Sequence, residues 1–182
     1  MKKQENNTSA DRVPATGNSP GSAIPIGAEA KIPIIPGYGP GPRVGDLLVS
    51  ILEVKRGEEV ESYILSRGIE IKSLQSGFEN VLLRVKVEYA RAGRGPREQP
   101  YYLPQDHFIA CSADGGTEYR VFPYTDQPQE SLIGHMFTQG DSREGWILCQ
   151  LPENEERPFL LFRRENADNV WGLWSDIWFK LF

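Results

Sequence analysis

The run Val81-Leu82-Leu83-Arg84-Val85-Lys86-Val87-Glu88-Tyr89 constrains this chain more than any other segment. On an extended backbone Val81, Leu83, Val85, Val87 and Tyr89 share one face, while Arg84, Lys86 and Glu88 share the other. One face belongs to a core and the other to water. Leu47–Val54 reads as an opening strand, with Tyr63-Ile64-Leu65 and Ile69-Glu70-Ile71 as short pieces ahead of the long one. His107–Cys111, Glu118–Phe122, Leu132–Phe137, Gly145–Leu151, Phe159–Phe162 and Ile177–Leu181 are further strand candidates. Turn residues separate several of them: Asp114-Gly115-Gly116, Gln139-Gly140-Asp141-Ser142, and Pro152-Glu153-Asn154-Glu155-Glu156. Short, evenly spaced strands without a long amphipathic helical window predict an all-β sandwich or barrel. Only Asp168–Asp176 suits a helical turn.

Composition divides the chain in two. Seven of the fourteen prolines fall before residue 44, and residues 1–43 carry five basic and three acidic side chains. Residues 44–182 carry 15 basic and 22 acidic side chains, a net charge of −7, which argues against a binder of phosphate backbones. Residues 1–23 hold almost no large apolar side chain to offset the entropy of ordering, and are expected to be disordered. Residues 24–43 mix Ile, Pro and Gly, which suits a semi-rigid extended spacer; the other reading is that Ile32, Ile34 and Ile35 pack as an edge segment. The expected organisation is therefore a Pro/Gly/Ser-rich linker or tether over 1–43 and one folded domain over 44–182. No apolar run reaches the roughly 18 to 20 residues of a membrane span. The basic start Met1-Lys2-Lys3 is not followed by the apolar stretch of an export signal, so the chain is either cytoplasmic or lacks an upstream signal or anchor.

Three segments together carry a resemblance. Arg43-Val44-Gly45-Asp46 leads into an apolar strand, Gly77-Phe78-Glu79-Asn80-Val81 opens the long alternating strand, and Gly140-Asp141-Ser142-Arg143-Glu144-Gly145-Trp146 runs into Ile147–Pro152. Phe108 ahead of Asp114-Gly115 adds an aromatic residue before a hairpin turn. Over residues 43–182 the chain resembles a bacterial domain-of-unknown-function family of telokin-like, immunoglobulin-like β-sandwich domains found behind flexible linkers in lipoproteins and secreted antigens. The resemblance implies an immunoglobulin-like antiparallel β-sandwich behind a disordered N-terminal tail, an extracytoplasmic location, and no enzymatic activity. Its motifs are turns and core positions: Gly45, Asp46, Gly140, Ser142 and Gly145 as turn formers, with Leu83, Val85, Val87, Ile147 and Leu151 as core. The chain departs from the family in ending its long strand with Tyr89-Ala90-Arg91-Ala92-Gly93.

Candidate chemistry is sparse. Cys111 and Cys149 fall in the apolar phase of predicted strands and are expected as core thiols, a cross-sheet disulfide being the alternative. His107 and Cys111, four apart on one strand, would stand roughly 13 Å apart, too far for a nucleophile–base pair. His135 adds no ligand-spaced motif, and Glu58-Glu59-Glu61 and Glu153-Glu155-Glu156 lack the order of a calcium loop and are expected as solvated loops. No catalytic, metal or cofactor site is expected. Two features suit a partner. Arg91, Arg94 and Arg97 form the one local basic patch, in a loop rich in Gly and Pro that would meet an acidic surface. Trp171, Trp174 and Trp178 gather at the C-terminus, either closing the core or forming an aromatic platform for a peptide, glycan or wall component. The expected partner is thus a protein or cell-wall component, not nucleic acid. The alternative is a cytoplasmic domain that binds a ligand or partner.

Overall fold

The computed structural model describes residues 16–34, 45–67, 75–91, 100–123, 132–163 and 176–182. Its strands are β1 (Glu29–Ile34), β2 (Gly45–Arg56), β3 (Phe78–Arg91), β4 (Tyr101–Tyr102), β5 (Phe108–Cys111), β6 (Glu118–Tyr119), β7 (Val121–Pro123), β8 (Met136–Phe137), β9 (Ser142–Pro152), β10 (Phe159–Phe162) and β11 (Ile177–Lys180). They form an all-β sandwich. One sheet has the order β1-β2-β3-β9-β7, the facing sheet β11-β10-β5-β6, and β4 and β8 make a small ribbon. Every strand pair is antiparallel.

The core lies between the sheets and follows from the alternation. Val81, Leu83, Val85, Val87 and Tyr89 of β3 are fully buried together with Ile147, Cys149 and Leu151 of β9, and they face Phe108, Ala110, Leu160, Phe162 and Phe179 of the second sheet. On β2, Leu47, Val49 and Ile51 point inward until a bulge at Leu52, where the register passes from Ile51↔Val85 to Glu53↔Arg84. That extra residue reverses the phase, so Val54 takes the inner face. The outer face of the five-stranded sheet carries ion pairs, Arg84 to Glu144 at 2.6 Å and Lys86 to Glu88 at 3.7 Å.

Tyr63-Ile64-Leu65, expected as a strand, belongs instead to a helix, α1 (Glu58–Ser66). Glu58, Glu59 and Glu61 occupy its first turn, where carboxylates complement the partial positive charge of the exposed N–H groups. Val60 and Ile64, one turn apart, are fully buried on Leu82 of the outer face of β3, and Tyr63 tilts against Trp146 at 5.0 Å. Each such fully buried aliphatic side chain contributes about 1.5–3 kcal/mol. Glu118–Phe122 is not one strand either. It divides at Arg120 into β6 in one sheet and β7 in the other. Of Leu132–Phe137 only Met136 and Phe137 are extended in a ladder. Ile69-Glu70-Ile71 and most of Asp168–Asp176 lie outside the described residues.

The expected boundary at residue 44 also moves. Residues 16–34 are folded onto the sandwich, and the edge-packing reading of Ile32 and Ile34 is the one observed: β1 pairs with β2 from Glu29↔Ser50 to Ile34↔Gly45. Ala30 and Ile32 are buried in the core, and Lys31 pairs with the buried Asp46 at 3.2 Å. Gly45 and Asp46 are accordingly strand residues rather than turn formers. Gly45 lies so close to Tyr89 that a Cβ there would stand 2.2 Å from the ring. The turn before β9 is made by Gly140, with φ at 95°, and by Asp141, which accepts the Thr138 N–H at 2.7 Å. Ser142 and Gly145 sit inside β9. The reading of residues 1–15 and 35–44 as tether lies outside the described residues.

Candidate functional site

Trp178 is the one member of the expected aromatic platform within the described residues; Trp171 and Trp174 lie outside them, as do Arg94 and Arg97. Arg91 ends β3 opposite Gly45. Of these six side chains, only that of Trp178 is described. Trp178 alternates out of the core, since its neighbours Ile177 and Phe179 point in. It stands on the outer face of the four-stranded sheet, beside Leu161 of β10, which in turn pairs with Ile109 of β5. Its ring meets Phe159 edge-on at 5.8 Å, and a Cβ on Gly115 would come within 2.8 Å of it. The Asp114-Gly115-Gly116 turn thus lies against the indole, and only glycine fits there, with φ at 72°. Ala23 joins the same apolar cluster as Cys111, Phe159 and Leu161. The indole is half-buried, a plug for a neighbouring turn with one side toward solvent.

The two cysteines are free and lie in different sheets. Burial pushes the Cys111 thiol up to about 11 and the Cys149 thiol up to about 12, so both are protonated near neutral pH and poor nucleophiles. His107 is not on β5 but in the 3-10 turn Gln105–His107 before it. There its Nδ1 lies 2.8 Å from the Tyr101 hydroxyl and its ring stands edge-on to Phe162 at 5.3 Å. His135 is held below its ordinary value by burial and then by Arg143. Among the described residues no three His, Cys, Asp or Glu side chains are placed to share a metal ion. Within the run Glu153-Glu155-Glu156, the Glu155 carboxylate accepts the Ala113 N–H at 3.3 Å and the Tyr119 hydroxyl at 3.5 Å.

Two open grooves were not legible in the sequence, one because it is assembled from distant segments and the other because it depends on the chain changing sheets at Arg120. One, of about 490 Å³, opens at the mouth of the sandwich between Ile26, Val54, Leu181 and Phe182, with Glu58 and Glu59 at its rim. The other, of about 500 Å³, lies where the chain changes sheets, between Phe108, Ile109, Tyr119, Arg120 and Val121.

No protein-family model matches the chain, and no curated protein sequence does. Solved structures share its architecture. The secreted protein MPT63 of Mycobacterium tuberculosis superposes with a TM-score of 0.55 at 15% identity, covering 87% of this chain and 97% of that one. The yjhA protein of Bacillus subtilis gives 0.52 at 15% identity, over 87% of this chain and 99% of its own. A putative lipoprotein of Bacillus subtilis, ycdA, gives 0.51 at 15% identity over 84% of this chain, which spans only 37% of the lipoprotein. At this identity the likeness is one of fold. It joins the chain to an architecture used by secreted and lipoprotein-like proteins, whereas membership of the domain-of-unknown-function family remains a resemblance of motifs. No helix among the described residues is long and apolar enough to cross a membrane.

Proposed function

We propose that this chain is a non-enzymatic interaction or structural module of the bacterial cell envelope, an immunoglobulin-like, telokin-like sandwich displayed on its N-terminal segment. The observation that carries the reading is the end-to-end likeness of fold to a secreted protein, with 97% of MPT63 covered. The character of the chain's own groups supports it. Its two thiols are buried and protonated, its histidine at position 107 is packed against aromatic rings, and the pairs Arg84–Glu144 and Lys86–Glu88 lie on an outer face. The partner is a protein or cell-wall component, met by Trp178 with Trp171 and Trp174, and by the basic run Arg91, Arg94 and Arg97 where its surface is acidic. The net charge of −7 over residues 44–182 disfavours nucleic acid.

Fractionation of the producing cells, with an antibody against the folded domain, tests the location. Recovery in the envelope or medium is expected, and recovery in the cytosol alone contradicts the reading. A cytoplasmic partner-binding domain is the second reading, favoured by the two unpaired thiols.

A further inference from the structure

The outward edge of β2 is open along Leu52–Arg56. β1 stops pairing at Glu29↔Ser50, and the Gly27 N–H donates to the Ile51 carbonyl at 2.8 Å as the final bond along that edge. Beyond it, β2 continues to Arg56, paired on its other side with β3 as far as Arg56↔Val81. No strand or loop among the described residues covers the outward edge of these five residues, all of them half-exposed. An uncovered edge presents unpaired N–H and C=O groups and is a template for another strand. At the far end Gly57, with φ at 55°, turns the chain out of the strand line into α1.

The open window is symmetric about Val54, and so is its chemistry. Glu53 and Lys55 flank Val54 on the outer face and pair with each other at 2.6 Å. When two copies of this edge meet antiparallel with Val54 on the two-fold axis, Glu53 of each copy stands opposite the partner's Lys55. Every charge then keeps its own counter-ion and gains a second. The inward side of the window opens onto the groove at the sandwich mouth, where Ile26 is 38% and Phe182 50% exposed. Pairing would cover that apolar surface on both copies at once. Arg56 does not obstruct it, because Glu79 and the Glu155 carbonyl hold its guanidinium. The Gly57 turn takes each chain away before it would reach the partner's Gly27.

We propose that the chain associates with a second copy of itself through the Leu52–Arg56 edge of β2, joining the two five-stranded sheets across a two-fold axis at Val54. Five residues per copy make a small interface, so the association is reversible, with Kd on the order of 100 μM. Sedimentation equilibrium of the full chain, from about 1 μM to about 1 mM, tests it. The wild type is expected to pass from monomer to dimer across that range. E53K and K55E each place like charges opposite one another at two symmetric positions and are expected to raise Kd about tenfold or more. The double variant E53K/K55E restores complementarity and the wild-type Kd. Both residue changes are at half-exposed positions, and circular dichroism melts confirm that each of the three variants is folded. A chain that stays monomeric throughout overturns the proposal, even if it takes up an extended peptide of another protein. A dimer indifferent to E53K and K55E overturns it as well, as does a double variant that fails to recover.

Discussion

Lys180 donates its backbone N–H to the carbonyl of Ile24 at 2.8 Å, and Ile24 donates its own N–H to the carbonyl of Trp178 at 2.8 Å. This parallel bridge closes the edge of the C-terminal strand with a segment near the start of the chain, and the Trp178 N–H donates one turn further up, to Gly17 at 2.7 Å. From Ile24 the chain crosses to the other sheet, where Gly27 and then β1 bond to β2. Residues 17–34 therefore lace both sheets together and leave neither β11 nor the first half of β2 as a bare edge.

Trp178 is held between Phe159 and the Gly115 turn, so its first role is packing. Trp178→Ala should cost about 2–3 kcal/mol, less than a wholly buried aromatic because the indole is only half-buried, and lower the melting temperature by roughly 5–10 °C. Thermal melts followed by circular dichroism read this directly. Unchanged stability would assign the ring to partner contact alone.

Gly45 makes a sharper demand. Tyr89 is fully buried, and its backbone is fixed on both sides by Asp141 and Gly140, so its ring has nowhere to retreat from a Cβ 2.2 Å away. Gly45→Ala should cost about 2–3 kcal/mol through overpacking. On a Tyr89→Leu background the same change should cost less than about 1 kcal/mol, because the clashing atoms are gone. Additive penalties in urea denaturation would show that the close approach is not the cause.

The buried thiols set an alkaline limit. Their pKa values are raised from 9.0 to about 11 at Cys111 and about 12 at Cys149, mainly by burial, so the folded chain retains protons that the unfolded chain releases. Their contribution to stability is complete below about pH 9 and is lost as pH rises through the interval up to 11 or 12. Urea denaturation at pH 8 and at pH 10.5 should show a smaller loss for Cys149→Ala than for the wild type. An equal loss would assign the alkaline sensitivity to other groups.

What was legible in the sequence was whatever local pattern decides. The alternation of Val81–Tyr89 specified β3, and Ile177 with Phe179 specified the inner face of β11. The helix escaped because Tyr63-Ile64-Leu65 is too short a run to declare a period, although Val60 and Ile64 four apart, with Glu58, Glu59 and Glu61 in the first turn, carried the signal. Ile24, Ala30 and Ile32 were diluted by Pro and Gly, and only their distant partners, Phe179 and β2, make them core. The break at Arg120 has no local mark, since both halves of Glu118–Phe122 are equally extended. The groove at the sandwich mouth is built from segments far apart in the chain, so no spacing encodes it, and the second groove, lined within residues 105–121, follows from the unmarked break at Arg120.

The claim that residues 16–34 belong to the folded domain is tested most directly by limited trypsin digestion of the native full chain with mass analysis of the fragments. Lys31 lies in β1, paired with Leu48, and strand pairing keeps its peptide bond out of a protease cleft although its side chain is 63% exposed. The account predicts early cleavage after Arg12 and survival of the Lys31–Ile32 bond as long as the core itself survives. Cleavage after Lys31 as fast as after Arg12 would contradict it and return residues 16–34 to the tether.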